Sequence, residues 1–210
     1  MSLSVLDDVI ATRSLLRHPF YVRWSNGELT LEDLRIYAKE YFHLVERIPG
    51  IVSRVRDRAP GTAMKLQIDE NVREEQEHVE LWKRFAKSVG VSEQELVSHP
   101  PSAKTREAVE TLERIAESSY DNGVVAMYAL ELELPKIAAT KKDGLQKFYG
   151  LDSEDAQIYF DEHLKEEKHL EVWRSLALPR NAAIAAGVAL DAQHRVLDAV
   201  CDQCGIPLVC

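Results

Sequence analysis

Apolar residues recur every three to four positions over long stretches of this chain, the spacing of a buried helix face. Strand-type alternation is nearly absent. The periodic stretches predict seven helices, at 3–17, 30–58, 62–89, 103–118, 119–140, 153–176 and 181–200. Breaks between them fall at His18-Pro19, Ser25-Asn-Gly27, Ala59-Pro-Gly61, Ser98-His-Pro-Pro101 and Tyr149-Gly150. Thr30-Leu-Glu-Asp33 and Ser92-Glu-Gln-Glu95 read as capping boxes, and Ser102 and Ser153 as N-caps. No internal repeat and no linker separates the segments. They are expected to share one core, a single all-α domain over 1–200 followed by a cysteine-containing tail at 201–210.

Placed on helical wheels, three segments carry polar side chains inside their apolar stripes. In the segment from 62, Met64, Ile68, Val72, Val79, Trp82 and Phe85 define the stripe. Glu75 falls at its centre with Asn71 and His78 beside it, whereas Glu74, Glu77 and Glu80 fall toward the edge or the solvent side. In the segment from 119, Glu131 lies on the face of Val124, Met127, Leu134 and Ala138. Pro135 cannot donate to the Glu131 carbonyl, so a bend is expected at this glutamate. In the segment from 153, His163 sits among Ala156, Tyr159, Phe160, Leu170 and Trp173, with Glu166 and Glu167 on either side and His169 at the edge.

An ionised carboxylate is costly to bury unless it is paired or metal-bound. Taken singly, these residues read equally as a satisfied core histidine, a carboxylate paired with an arginine, or a solvated charge run. Together they offer three carboxylates and three histidines from three helices, the donor set of a two-metal site inside a bundle. Oxygen and nitrogen donors suit iron or manganese, and no cysteine is placed to make a structural zinc site.

Bulk composition narrows the classes. With 26 Lys+Arg against 35 Asp+Glu the formal charge is −9, which argues against nucleic acid as the main partner. A 45% hydrophobic share with only 9 Gly and 8 Pro excludes a disordered or low-complexity chain. No run is long and apolar enough to span a membrane, and the first residues lack a leader's basic and apolar regions, so a cytoplasmic protein is expected. Cys201, Cys204 and Cys210 all lie in the last ten residues. Reduced thiols are the expectation, with metal binding or redox work by the C-x-x-C pair as the alternative.

Several ordered motifs carry a resemblance. Glu70-Asn-Val-Arg-Glu-Glu75 with His78-Val-Glu-Leu-Trp82, then Ala126-Met-Tyr-Ala-Leu-Glu131-Leu-Glu-Leu-Pro135, then Tyr159-Phe-Asp-Glu-His163, resemble the heme-oxygenase-like di-metal oxidases. Within them the chain is most similar to the bacterial group that makes 4-aminobenzoate. The similarity runs from about Leu16 to Trp173 and includes His18-Pro-Phe-Tyr21. It implies a seven-helix heme-oxygenase-like (TenA/PqqC-like) bundle and a homodimer. It also implies an oxygen-dependent synthesis of 4-aminobenzoate, a folate precursor, from a tyrosine of the protein itself.

By position the consumed tyrosine would be Tyr21, the amino donor Lys141, and a further pocket tyrosine Tyr37. The metal ligands would be Glu75, His78, Glu131, His163, Glu166 and His169. Glu166 is preferred to Glu167 because it keeps the carboxylate-x-x-histidine spacing to His169. Two metal ions, iron or iron with manganese, would act with O2 and an external reductant. This chain departs from the group in carrying Leu130 where a tyrosine is found, and in placing Glu75 and His78 on one unbroken turn. An oxidase of the same fold acting on a diffusible substrate is the alternative, and a non-enzymatic binding bundle the second. A thiamin-salvage hydrolase is disfavoured because no mid-chain cysteine is present.

Overall fold

Helix starts fall where the capping residues put them. Thr30 accepts the Asp33 amide at 3.1 Å while the Asp33 carboxylate accepts the Thr30 amide at 2.7 Å. Ser92 and Glu95 form the same reciprocal pair, and Ser102 and Ser153 each accept an amide of the first turn. The computed structural model describes residues 2–165, 167–174 and 178–208. Within them the chain forms α1 (Leu3–Thr12), a 3-10 turn (Leu15–Arg17), α2 (Pro19–Asn26), α3 (Leu31–Val45) and α4 (Ile48–Asp57). Then follow α5 (Thr62–Ser88), α6 (Glu93–Ser98), α7 (Ala103–Ser118), α8 (Tyr120–Glu131), α9 (Leu134–Tyr149), α10 (Glu154–His163), α11 (Glu167–Arg174) and α12 (Ala182–Cys204).

The all-α class is as expected, with no strand among the described residues, but the count of seven helices is not. Long expected segments divide, and the physical reason lies partly in proline. Pro49 sits in the first turn of α4 and Pro135 in the first turn of α9, where a missing N–H costs nothing. The bend expected at Glu131 is a full break: α8 ends at Glu131 and α9 restarts at Leu134. A second break follows His163, between α10 and α11, where no proline marks it. At the far end α12 runs on to Cys204, so Cys201 is a buried helical residue rather than part of a tail.

α12 lies against α7, α8 and α3, and α5 against α4 and α10, which puts the faces of α3, α5, α8, α10 and α12 around one interior. Two close approaches fix α2 and α9 in that interior. A methyl group on Gly144 would come within 2.6 Å of the Trp24 indole, so only glycine lets α9 approach this ring. The same indole donates to the Lys141 carbonyl at 3.1 Å.

A buried carboxylate joins α3 to α7. Glu40 is fully inaccessible, accepts the Ser102 amide at 3.0 Å and pairs with His99 at 2.9 Å. Burial alone would raise its pKa, but hydrogen bonds from Thr105, Gln203, His99 and Ser102 outweigh it and hold the carboxyl down at about 2. Its stabilisation is therefore complete above the ordinary value of 4.5 and lost as pH falls toward about 2. Glu40→Gln is expected to cost on the order of 2–3 kcal/mol at neutral pH. Urea titrations should show that cost shrinking below pH 4.5; a pH-independent loss would refute the assignment.

Candidate functional site

α5 is continuous through Glu75 and His78, and it buries both as the wheel placed them, with Glu77 and Glu80 exposed. The His78 Nδ1 lies 3.3 Å from a Glu75 carboxylate oxygen. Glu131, at the last residue of α8, is 3% exposed and accepts the Trp173 indole N–H at 2.6 Å. His163, at the last residue of α10, is buried with its Nδ1 2.7 Å from the Tyr159 carbonyl. A carbonyl oxygen only accepts, so Nδ1 carries the hydrogen of that contact. The His78 and His163 rings lie 4.4 Å apart between centroids.

Glu75, Glu131 and His163 line one cavity of about 50 Å³, walled by Tyr41, Met127, Tyr159 and Gln193. A second lobe of about 20 Å³ shares Tyr41, Leu134, Tyr159, His163 and Gln193 with it and reaches Lys141. Of the six expected ligands, Glu166 lies outside the described residues, as do the side chains of His169 and of the alternative Glu167. Among the described residues no three His, Cys, Asp or Glu side chains are gathered tightly enough to enclose an ion. The four that are described supply carboxylate oxygen and imidazole nitrogen from three helices, three of them lining the cavity and His78 packed against His163, a donor chemistry that fits iron or manganese.

Lys141, which lines the second lobe, connects it to Tyr21 and Tyr37 packed behind it. Lys141 is 4% exposed, and its amine donates to the Tyr37 hydroxyl. The amine stands 4.8 Å from the Tyr21 ring centroid, 4.7 Å from that of Tyr37 and 5.2 Å from that of Tyr41. Burial drives the Lys141 pKa well below 10.5, and the same burial raises Tyr21 and Tyr37 well above 10. Burial pushes Tyr41 up to about 12, with Gln193 opposing as a hydrogen-bond partner. Burial around Lys141 thus favours a neutral amine beside neutral phenols, and a neutral amine is a nucleophile. The Tyr21 hydroxyl is sealed from solvent, and the Tyr37 hydroxyl is the polar group beside it, at a geometry too poor for a good hydrogen bond.

Tyr41, Tyr159 and Gln193 line both lobes and were not among the expected site residues. A signal existed for Gln193, which interrupts the apolar stripe of α12 between Leu190 and Val196. At the end of α12 burial pushes the Cys201 thiol up to about 12, which suits an inert reduced thiol; Cys204 is also free, and Cys210 lies outside the described residues.

Comparison with known proteins places the chain. The pattern of the TENA/THI-4/PQQC family matches residues 10–177. A Chlamydia muridarum protein named 4-aminobenzoate synthase is 37% identical over 166 residues, covering 77% of this chain and 70% of its own. A Nitrosomonas europaea protein of the same name is 35% identical over 173 residues, covering 75% and 70%. Among solved structures, a TenA homolog from Pseudomonas syringae superposes with a TM-score of 0.80 at 14% identity, over 95% of this chain and 92% of that one. A CADD-like protein of unknown function from Nostoc punctiforme gives 0.76 at 19% identity, over 96% of each chain. At such identities the two structures speak for the fold alone. The helical architecture and the extended sequence match agree, and the chain belongs to the TENA/THI-4/PQQC family.

Proposed function

We propose that this protein makes 4-aminobenzoate from its own Tyr21, with Lys141 as amino donor, in an oxygen-dependent reaction. Two metal ions, iron or iron with manganese, would be held by Glu75, His78, Glu131, His163, Glu166 and His169. When bound, they would supply the O2-derived oxidising power that no side chain possesses.

The observation that carries the proposal is the placement of Lys141. Its amine is sealed against the Tyr21 ring, and the lobe that reaches it shares walls with the cavity of Glu75, Glu131 and His163. In 4-aminobenzoate the amine is para to the carboxylate, as the hydroxyl of tyrosine is para to Cβ. The nitrogen must therefore arrive at the hydroxyl-bearing carbon, and Cβ must part from the backbone. Tyr37 holds the amine by accepting its hydrogen bond, and the surrounding rings exclude water. Cavities of about 50 and 20 Å³ are small beside the roughly 150 Å³ that a benzene-sized ring occupies. That size favours a ring supplied by the protein over a diffusible substrate. The relatives named 4-aminobenzoate synthase support the same product.

Metal-free protein loaded anaerobically with Fe(II), with and without Mn(II), and then given reductant and O2 is expected to release 4-aminobenzoate, read by mass spectrometry. The expected loading is about two ions per chain by elemental analysis. Two bound metals and O2 uptake without product would favour an oxidase of an external substrate. Protein that binds no metal would refute the metal site.

A further inference from the structure

We infer that His18 is a positioning residue for Tyr21: its imidazole, held in one tautomer between α2 and α12, sets the first turn of α2 and so aims the Tyr21 ring at Lys141. The inference rests on Tyr21 being the reacting residue. α2 is only eight residues long, and Tyr21 is the third of them. So short a helix has little stability of its own and takes its position from what holds its ends.

His18 is the N-cap of α2. Its Nδ1 accepts the Phe20 amide at 3.2 Å, which requires a lone pair on that nitrogen. The hydrogen of the neutral ring is then on Nε2, and it is donated to Asp198 of α12 at 3.0 Å. Both ring nitrogens are thus engaged in a side chain that is 3% exposed. At the other end α2 stops at Gly27 in the left-handed conformation, where any side chain would run into Phe148. In the middle the Trp24 indole is bonded to the Lys141 carbonyl. The start of α2, the helix of Lys141 and α12 are therefore joined around one tyrosine.

Protonation would break this arrangement, because an imidazolium has no acceptor to offer the Phe20 amide. The titratable groups facing the ring are both on α12. Asp198 bonds it, and the His194 ring lies edge-on at 5.5 Å with its Nε2 on the Arg13 carbonyl. Burial, the largest cause, lowers the His18 pKa below 6.5, with Asp198 opposing it and His194 reinforcing it. The cap is intact above 6.5, where the ring is neutral folded or unfolded. It weakens as pH falls below 6.5 toward the folded value.

The test uses the full chain and two readouts, amide hydrogen exchange of α2 and 4-aminobenzoate yield. His18→Ala is expected to lower protection of the α2 amides roughly fivefold, the worth of one N-cap. It should lower yield by up to about 10²-fold, the effect of a misplaced reacting group. His18→Asn, which keeps a strong cap acceptor, should restore protection and most of the yield. It should also lose the decline in α2 protection expected of the wild type below pH 6.5. His194→Asn should keep that decline. Wild-type protection of α2 in His18→Ala, or an unchanged acid decline in His18→Asn, would overturn the inference. If the wild type yields no 4-aminobenzoate, the proposed reaction falls, while the exchange measurements still decide whether His18 holds α2.

Discussion

Tyr21→Phe is expected to abolish 4-aminobenzoate formation while leaving the melting temperature unchanged or raised. The two effects separate because of where the hydroxyl sits. It is buried with only the Tyr37 hydroxyl beside it and no hydrogen bond of good geometry, so its desolvation, which costs about 1–3 kcal/mol when nothing compensates it, is at best partly offset. Phenylalanine keeps the ring and its edge contact with Phe20 at 5.9 Å while shedding that cost. A gain of 1 kcal/mol in a protein of this length corresponds to roughly 2–4 °C. The chemistry has no substitute for the lost oxygen, since the amine must replace it on the ring. Product mass spectrometry and a thermal melt on the same preparation decide the matter. Continued product formation by the phenylalanine variant would mean that the ring comes from another residue or from a diffusible substrate.

The second large effect is at Lys141. Lys141→Met should eliminate product yet stabilise the protein at neutral pH. The folded-state pKa of this lysine is depressed, so between that value and 10.5 the unfolded chain takes up a proton that the folded chain resists. Stability is therefore lost as pH falls from 10.5 through the folded value, and neutral pH lies on the unfavourable side. Replacing the amine with an apolar side chain of similar length should stabilise the protein at pH 7. The gain should vanish as pH approaches 10.5. Denaturant titrations at several pH values would show this slope, and its absence would mean that the amine is charged in the folded state. For the chemistry, protein made with 15N-lysine should pass the label to the product. An unlabelled product would remove Lys141 as donor.

The sequence made some parts of this site legible and hid others for identifiable reasons. Glu75, His78, Glu131 and His163 could be placed inside the bundle because each interrupts a long apolar stripe, and wheel geometry holds wherever a helix is regular. The break after Glu131 followed from Pro135, whereas the break after His163 carries no such marker. Lys141 gave a usable signal that periodicity alone did not prompt: it lies on the α9 face of Ile137, Ala138, Gly144 and Leu145. Its closeness to Tyr21 depends on α2 crossing α9 at Trp24 and Gly144, a contact between residues 120 positions apart that no local pattern encodes. The same holds for the His18–Asp198 pair, whose partners are separated by 180 positions.

The sealing of Tyr21 has a consequence for the fate of the molecule. A ring that is 1% exposed is part of the packing, and a chain that surrendered it would be left with a void where an aromatic side chain had been. Emptying such a position costs about 3–5 kcal/mol, set against a total stability of roughly 5–15 kcal/mol. A spent molecule would therefore open more often than a fresh one and be preferred by cellular proteases. Each chain would work once, and its supply, rather than its speed, would limit how much product a cell obtains.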